Sequence, residues 1–182
     1  MNLDTIEREL KFGDVDHGDL RERLEAIDAE CQGSPMFEEN WLFDREGELV
    51  DKGSLLRLRV DKRGSHLTFK GPATYEDRVK VRTEYEVLVD DFERTRQILE
   101  ALGYQSIRRY QKYRENWLLG SVSISLDHTP IGDYVEFEGD GCETVARRSG
   151  FDLETAERRN YLRLYEDYLV EHPEAPKDMV FP

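Results

Sequence analysis

The sequence of 182 residues has few of the residues that commonly bind soft metals or act as nucleophiles. It contains two cysteines, Cys31 and Cys142, together with four histidines and no C-x-x-C pair. Thiolate metal sites are therefore not indicated, and two isolated cysteines are typical of thiols in a reducing compartment. The chain also lacks a P-loop, a GxGxxG fingerprint and a protein-kinase signature, so none of these phosphate-binding devices is available to it.

Long apolar segments and positive charge are also scarce. No run approaches the roughly 20 apolar residues that a membrane span needs, and the acidic N-terminus has no apolar core of a secretory signal. The 26 basic residues are outnumbered by 40 acidic ones, which gives a net charge of −14 and argues against a general nucleic-acid binder. We expect a cytoplasmic protein that binds neither nucleic-acid polymers nor membranes, with one domain over residues 1–171 and an extended or disordered tail over 172–182.

Charged residues occupy every second position in most segments that favour β-strands. Near the start, Glu7, Glu9 and Lys11 alternate with mostly apolar residues. Because successive side chains of a strand point to opposite faces, these three side chains share one face. Later segments repeat this pattern, with charged faces that carry Arg57, Arg59, Lys70, Lys80, Arg82, Glu84, Glu86, Lys112, Arg114, Asp127, Glu136 and Glu138.

The order of the segments predicts an α+β fold. Alternation and turn signals predict eight strands at about 4–12, 36–44, 54–61, 65–71, 77–89, 104–118, 121–128 and 133–139. Apolar stripes of helical period predict helices at about 17–31, 91–102, 142–149 and 153–170. Because strands and helices do not alternate strictly, we expect a mainly antiparallel sheet.

Two arrangements are compatible with strands that have one ionic face. In the first, the ionic faces meet solvent and the apolar faces pack on helices or a second sheet. In the second, eight antiparallel strands close into a barrel with a polar, charged lumen and apolar outer faces covered by helices. The richness of the ionic faces in Arg and Glu favours the closed barrel. We assign the acidic runs outside these motifs, Glu38-Glu39 among them, to the solvated surface.

A lumen lined with these charges indicates a charged ligand. Unpaired buried charges cost several kcal/mol or more, so the side chains need partners. Arginine forks match phosphate oxygens, and clustered carboxylates without His or Cys prefer a hard cation such as Mg²⁺ or Mn²⁺. The combination favours a metal-bound polyphosphate.

The ordered motifs resemble those of the CYTH superfamily, the triphosphate tunnel metalloenzymes. This superfamily includes class IV adenylate cyclases, thiamine triphosphatases and inorganic triphosphatases. The motifs stand in family order over about residues 4–140: Glu7-x-Glu9-x-Lys11, Leu56-Arg57-Leu58-Arg59, Leu67-Thr68-Phe69-Lys70-Gly71-Pro72, Arg82-x-Glu84-x-Glu86, Lys112-x-Arg114, Leu126-Asp127 and Ile131-Gly132-Asp133-Tyr134-Val135-Glu136-Phe137-Glu138.

The resemblance implies an eight-stranded tunnel that binds a triphosphate with Mg²⁺ or Mn²⁺. Glu7, Glu9 and Glu138 match ligands of a metal on the phosphates, whereas Asp127, Glu136 and Glu84 or Glu86 match the group near a second metal or the attacking water. We predict Asp127, Glu136 and Lys11 as catalytic residues. The predicted phosphate-binding residues are Lys11, Arg57, Arg59, Lys70, Lys80, Arg82, Lys112 and Arg114.

The resemblance leaves three functions open. The first, which we predict, is metal-dependent hydrolysis of tripolyphosphate, ATP or thiamine triphosphate, and the alternative is cyclisation of ATP by a class IV adenylate cyclase. The third is binding of a polyphosphate or nucleotide without catalysis. The chain departs from the family pattern at Leu42, where a tyrosine is common, and at Asn160, where a serine is common. Family members often form dimers, so a homodimer is one expected assembly.

Overall fold

The computed structural model describes residues 5–182. Its strands are β1 (Thr5–Gly13), β2 (Glu30–Cys31), β3 (Met36–Asp44), β4 (Leu55–Asp61), β5 (Gly64–Lys70), β6 (Thr74–Glu76), β7 (Val79–Val89), β8 (Gln105–Leu119), β9 (Val122–Thr129) and β10 (Gly132–Glu138). Its helices are α1 (His17–Ala26), α2 (Glu48–Asp51), α3 (Phe92–Ala101), α4 (Cys142–Arg148) and α5 (Tyr161–Glu171), with a 3₁₀ turn at Leu153–Thr155.

Eight of these strands close into an antiparallel barrel. The order around the barrel is β1-β10-β9-β8-β3-β4-β5-β7, and pairing of β7 with β1 completes the circle. The two extra strands extend the sheet, β2 along β8 and β6 along β7. The predicted α+β fold with a closed eight-stranded antiparallel barrel is thus confirmed.

The outer faces of the strands hold most of the apolar core. One cluster joins β1, β9 and β10 to α1 and α4 through residues such as Leu20 and Phe137. A second packs α5 on Leu42 of β3 and Tyr110 of β8, which face the interior of the barrel, and a third packs α3 on the outer faces of β3 and β4. On β7 the outward residues Tyr85 and Val87 remain exposed. Helices therefore cover most of the barrel, and the ionic faces are left to line its interior.

Two predicted helices are longer than the helices in the structure. The first ends at Ala26, because Asp28 takes a positive φ of 61° and the chain then forms β2 on β8. The predicted helix 153–170 is wrong as a single element. After the 3₁₀ turn, the Glu157 N–H bonds to the Lys11 carbonyl of β1, and Asn160 starts α5 by capping the Arg163 N–H. A polar N-cap restarts a helix where extended backbone ends.

Short elements also escaped the sequence-based assignment. The predicted strand 77–89 begins at Val79 and is preceded by the separate strand β6. The turn that follows β3 continues into the short helix α2. Asp44 accepts hydrogen bonds from the N–H groups of Arg45, Leu49 and Val50, at 2.6, 3.0 and 3.2 Å. One buried carboxylate thus fixes the loop between β3 and β4.

The segment after α5 lies along β8. Met179 is 1% exposed and exchanges backbone hydrogen bonds with Arg109 and Gln111. Asp178 accepts hydrogen bonds from the backbone and the guanidinium of Arg109, both at 2.9 Å. These contacts hold the segment after α5 along the backbone of β8, and Met179 packs in the same apolar cluster as α5.

Over residues 5–182, no helix has both the length and the apolar character that crossing a bilayer would require.

Candidate functional site: a charged tunnel

The barrel encloses a cavity of about 450 Å³. All eight predicted phosphate-binding residues line it: Lys11, Arg57, Arg59, Lys70, Lys80, Arg82, Lys112 and Arg114. Six of the predicted metal-binding residues line it as well: Glu7, Glu9, Glu84, Glu86, Glu136 and Glu138. Six strands supply these fourteen side chains, so the strand alternation and the closure of the sheet together create one polyionic chamber.

Lys70 and Arg82 neutralise the acids of β1. The Lys70 Nζ lies 2.5 Å from Glu7 Oε1 and 3.1 Å from Glu84 Oε2, and the Arg82 Nε lies 2.6 Å from Glu7 Oε2. Burial disfavours the charged form of Glu7, but these two cations outweigh that effect and hold the pKa of Glu7 far below its usual range. Glu7 is therefore ionised at neutral pH although it is buried.

Three carboxylates converge near this point. Glu7, Glu84 and Glu138 each place one oxygen within 4.8 Å of the others. Glu138 is exposed at the rim of the tunnel, yet partial desolvation and then the charge of Glu7 raise its pKa to about 7. Desolvation also raises the pKa of Glu84. Neighbouring carboxylates repel one another when they are ionised, and this repulsion favours their protonation. A cation bound between them would remove the repulsion, so the cluster is suited to a divalent metal.

Glu9 does not belong to this cluster, although the family motif matched it to a metal ligand. Its Cα lies opposite that of Glu138 in the sheet, but its carboxylate lies 2.7 Å from Lys80 Nζ. The structure therefore brings Glu84 to Glu7 and Glu138, and it pairs Glu9 with a lysine. The assignment of Glu9 to a metal remains a prediction.

Asp127 lies behind the cavity wall and is fully buried. Its carboxylate accepts hydrogen bonds from Lys112 at 2.8 Å, from Arg114 at 2.6 and 2.7 Å, and from the Tyr161 hydroxyl at 2.7 Å. Burial opposes its ionisation, but Arg114 and Lys112 lower the pKa of Asp127. Four donor groups therefore hold the Asp127 carboxylate against the two bases, and its predicted contact with a metal or a water remains a prediction.

Glu136 faces the cavity between two bases. One of its oxygens lies 3.3 Å from Lys11 Nζ, and the other accepts a hydrogen bond of 2.5 Å from Arg114. Burial opposes the charged form, but Arg114 and then Lys11 hold the pKa of Glu136 well below the usual range. Lys11 Nζ also lies 4.2 Å from the ring centre of Tyr161, at the N-terminus of α5.

The bases of β4 are less completely neutralised. Glu86 approaches Arg57 at 3.6 Å and Arg59 at 3.4 Å, and it accepts a hydrogen bond of 2.7 Å from Thr68. Burial and the adjacent Arg57 lower the pKa of Arg59. Within the described chain, the Nε atoms of both arginines have no hydrogen-bond partner. This wall of the tunnel therefore has positive charge to offer an anion.

Sequence reasoning missed two polar residues on β3. Glu38 and Asn40 are fully buried, and the polar atoms of both side chains lack hydrogen-bond partners among residues 5–182. Glu38 lies 3.8 Å from Lys112 Nζ, so its assignment to the solvated surface is wrong. Glu38, Asn40 and Leu42 alternate with mostly aromatic residues, and this alternation could have assigned Glu38 and Asn40 to the lumen. The neighbouring Glu39 made the acidic pair resemble solvated surface instead.

Tyr110 and Tyr161 also line the cavity, although no site role was predicted for either. Both rings line the cavity near the start of α5, 5.9 Å apart between centres. The Tyr110 hydroxyl accepts a hydrogen bond of 3.4 Å from Arg57. No charge pattern distinguishes these tyrosines from core residues, so only the folded structure places them in the tunnel.

Comparison with known proteins supports the family suggested by the motifs. The family model described as CYTH domain matches residues 5–163. MJ0240 of Methanocaldococcus jannaschii, whose name proposes adenylate cyclase activity, is 27% identical over 135 residues. The match covers 73% of this chain and 76% of that protein.

Solved structures share the fold. An X-ray structure of a proposed adenylate cyclase from Vibrio parahaemolyticus aligns with a TM-score of 0.78 and 21% identity, over 89% of this chain and 98% of that one. HpAC1 of Hippeastrum, a proposed adenylyl cyclase described as having a dominant triphosphatase activity, aligns with a TM-score of 0.55 and 16% identity, over 92% and 87% of the two chains. The resemblance to triphosphate tunnel metalloenzymes is confirmed, and the chain belongs to the CYTH domain family.

Proposed function

We propose that this protein is a divalent-metal-dependent hydrolase that cleaves a triphosphate inside its tunnel. The observation that carries the proposal is the convergence of eight bases and six acids on one cavity of about 450 Å³. Such a chamber supplies both partners that a metal-bound triphosphate requires, cations for its oxygens and carboxylates for its metal. Membership in the CYTH family agrees with an enzyme of this kind.

The bases would bind and align the phosphate chain. Arg57 and Arg59 on β4 stand across the lumen from Lys11 on β1, so a linear triphosphate can be held from several sides. Phosphoryl transfer depends mainly on positioning and on neutralising charge in the transition state. A ring of fixed cations in a partly desolvated tunnel does both without a covalent nucleophile.

The acids fit a hard divalent cation. Glu7, Glu84 and Glu138 would hold it, because three carboxylate oxygens within 4.8 Å suit Mg²⁺ or Mn²⁺ and no His or Cys lies among them. When bound, the ion would neutralise phosphate charge and fix the geometry of the chain.

Glu136 is the residue best placed to orient an attacking water. It stays ionised because Arg114 and Lys11 surround it, and it faces the cavity. Its low basicity suits the orientation of a water better than early removal of a proton. Lys11 would stabilise negative charge that develops on the phosphate, and Asp127 would position Lys112 and Arg114 from behind.

Cyclisation of ATP is the second candidate. The observation in its favour is the 27% identity with MJ0240, whose name proposes adenylate cyclase activity. The same bases would hold ATP while the ribose 3′-hydroxyl attacks the α-phosphorus. The products distinguish the two reactions, because cyclisation gives cyclic AMP and pyrophosphate whereas hydrolysis of ATP gives ADP and orthophosphate.

A panel of substrates tests the proposal. Tripolyphosphate, ATP and thiamine triphosphate are incubated with the protein and Mg²⁺ or Mn²⁺, and orthophosphate, pyrophosphate and cyclic AMP are measured. We expect orthophosphate release that falls at least about a hundredfold in Glu136→Gln, while Glu22→Gln on the exposed face of α1 changes little. Cyclic AMP as the main product would replace hydrolysis with cyclisation. Tight binding without turnover by folded protein would reject both reactions in favour of a binding module.

A further inference from the structure

Residues 176–181, which we call the C-terminal strap, contact both β8 and α5. They lie beyond the part of the chain that the family model matches, which ends at residue 163. We propose that the strap is a positioning element of the tunnel, which holds Tyr110 and Tyr161 where these residues support the phosphate-binding bases. The inference rests on the proposed function, since it assumes that those bases act on a bound triphosphate.

The strap completes one edge of β8. On one side, β8 pairs with β3 over residues 105–114, but on the other side it pairs with β9 only over residues 113–119. The strap bonds to the rest of that second edge. Met179 forms a parallel bridge with Tyr110, through backbone hydrogen bonds of 3.1 and 2.8 Å to the residues on either side of the tyrosine. Tyr110 is therefore fixed between β3 and the strap.

The strap also holds one face of α5. The Tyr165 hydroxyl donates a hydrogen bond to the Pro176 carbonyl at 2.6 Å, and the Asp178 carbonyl lies 3.2 Å from the same hydroxyl. Tyr165 follows Tyr161 by four residues, so the two side chains share a face of the helix. Met179 is buried in one apolar cluster with both tyrosines. The strap therefore fixes the face of α5 that lines the tunnel.

Tyr110 and Tyr161 connect the strap to the bases. The Tyr110 hydroxyl accepts a hydrogen bond from Arg57. The Tyr161 hydroxyl donates to Asp127, which holds two bases of β8, and the Tyr161 ring centre lies 4.2 Å from Lys11 Nζ. Fixed cations stabilise developing charge only while they are in place, and a displacement of about 1 Å can lower a rate about a hundredfold. The position of the strap should therefore affect turnover.

The anchor of the strap lies outside the tunnel. Asp178 accepts two hydrogen bonds from Arg109. The Phe181 ring lies 5.3 Å from the Tyr113 ring, and the Phe181 N–H donates to the Gln111 side chain at 3.1 Å. None of these five residues lines the chamber, and the strand pairs that close the barrel do not include the strap. A change at the anchor therefore removes no group from the site and no pairing from the barrel.

Loosening the anchor tests the inference. Asp178→Ala removes both hydrogen bonds to Arg109. We expect kcat for tripolyphosphate with Mn²⁺ to fall at least about tenfold, and urea unfolding to show that the variant is folded under the assay conditions. The control is Glu174→Ala, at a 77% exposed position just before the strap, which should leave kcat unchanged. An unchanged kcat in Asp178→Ala would overturn the inference.

A double-mutant cycle separates positioning from a general loss of stability. Asp178→Ala is combined with Tyr161→Phe, which already lacks the hydroxyl that bonds to Asp127. In this background Asp178→Ala should lower kcat by less than about threefold, because the two changes act on the same contact. Equal fold-losses in both backgrounds would show that the strap does not act through Tyr161 and would overturn the inference.

A measurement without substrate keeps the inference separate from the proposed function. In protein with isotopically labelled tyrosine, the ring resonances of Tyr110 and Tyr161 should shift in Asp178→Ala and keep their positions in Glu174→Ala. Unshifted resonances in Asp178→Ala would contradict the inference. Absence of turnover of any triphosphate by the unaltered chain would reject the proposed function, and the tyrosine resonances would still decide whether the strap positions these two residues.

Discussion

Lys70 places its ammonium nitrogen 2.5 Å from a carboxylate oxygen of Glu7. The two residues belong to strands that are not neighbours, since β7 lies between β5 and β1. The same nitrogen lies 3.1 Å from Glu84, so it contacts two of the three carboxylates that could hold a divalent cation. A cation bound by these carboxylates would therefore compete with Lys70 for the same oxygens.

Removal of this ammonium should tighten metal binding. We expect Lys70→Met to bind Mn²⁺ about tenfold more strongly than the unaltered protein when no phosphate is present. The measurement is a calorimetric titration. Lys80→Met is the control, because Lys80 pairs with Glu9 outside the three-carboxylate cluster. Weaker or unchanged Mn²⁺ binding by Lys70→Met would show that Lys70 does not compete.

Glu38 should weaken the binding of phosphate in the absence of metal. Its buried carboxylate adds negative charge 3.8 Å from Lys112, one of the bases that line the chamber. Glu38→Gln should therefore increase metal-free affinity for tripolyphosphate about tenfold at low ionic strength. Glu39→Gln, on the other face of the same strand, should have little effect. Weaker binding by Glu38→Gln would mean that the carboxylate is needed to hold the bases in position.

The hydroxyl of Tyr161 should contribute to both stability and turnover. It donates to the fully buried Asp127, which in turn holds Lys112 and Arg114. Tyr161→Phe removes one donor from a buried carboxylate, so we expect unfolding free energy to fall by about 1–3 kcal/mol and kcat/KM to fall with it. Urea unfolding and steady-state kinetics measure the two effects. The control is Tyr113→Phe, at an exposed position on the outer face of β8. If Tyr161→Phe changes stability and kcat/KM no more than this control does, the hydroxyl of Tyr161 does not have this role.

Acid stability should depend on an ion pair beneath α1. The Glu115 carboxylate accepts hydrogen bonds from Arg21, at 2.9 to 3.2 Å, and from the Trp117 indole at 2.7 Å. Burial opposes the charged form, but Arg21 and Trp117 outweigh it and lower the pKa of Glu115. A lowered carboxyl pKa gives stability that is present above the unfolded value near 4 and is lost as pH falls through the folded value.

Glu115→Gln should therefore be less stable than the unaltered protein at pH 7. The difference between the two should shrink as pH falls below about 4, because the unaltered protein then loses the ion pair as well. Urea unfolding at a series of pH values gives this difference directly. A difference that stays constant down to pH 2 would show that Glu115 does not titrate with folding.

Strand alternation was sufficient to predict which side chains face the lumen. Arg57 and Arg59 lie inside because the pleat alternates faces at every residue, and this rule is local. Closure of the barrel followed from the family resemblance, because strands with one ionic face are also compatible with a sheet whose ionic face meets solvent. Glu38 follows the same local rule. We assigned it to the surface because an acidic pair such as Glu38-Glu39 is typical of solvated segments.

Contacts across strands were not predictable from the sequence. Glu9 lies opposite Glu138 in register, yet Lys80 draws its carboxylate away and Glu84 takes its place near Glu138. Asp127 is buried behind the cavity wall, where it accepts a hydrogen bond from Tyr161 of α5, a helix far away in the sequence. These contacts depend on the length of the side chains and on how α5 packs against the barrel. Neither can be derived from the two-residue alternation of a strand.

The most direct test of the central claim is a calorimetric titration of tripolyphosphate with Mg²⁺ into matched arginine variants. Arg59 faces the chamber with 10% of its side chain exposed, whereas Arg63 lies on the turn after β4 with 52% exposed. Binding inside the tunnel predicts one ligand per chain, a loss of affinity of at least about tenfold in Arg59→Gln, and unchanged affinity in Arg63→Gln. Equal affinity in both variants, or no binding by the folded protein, would contradict the account.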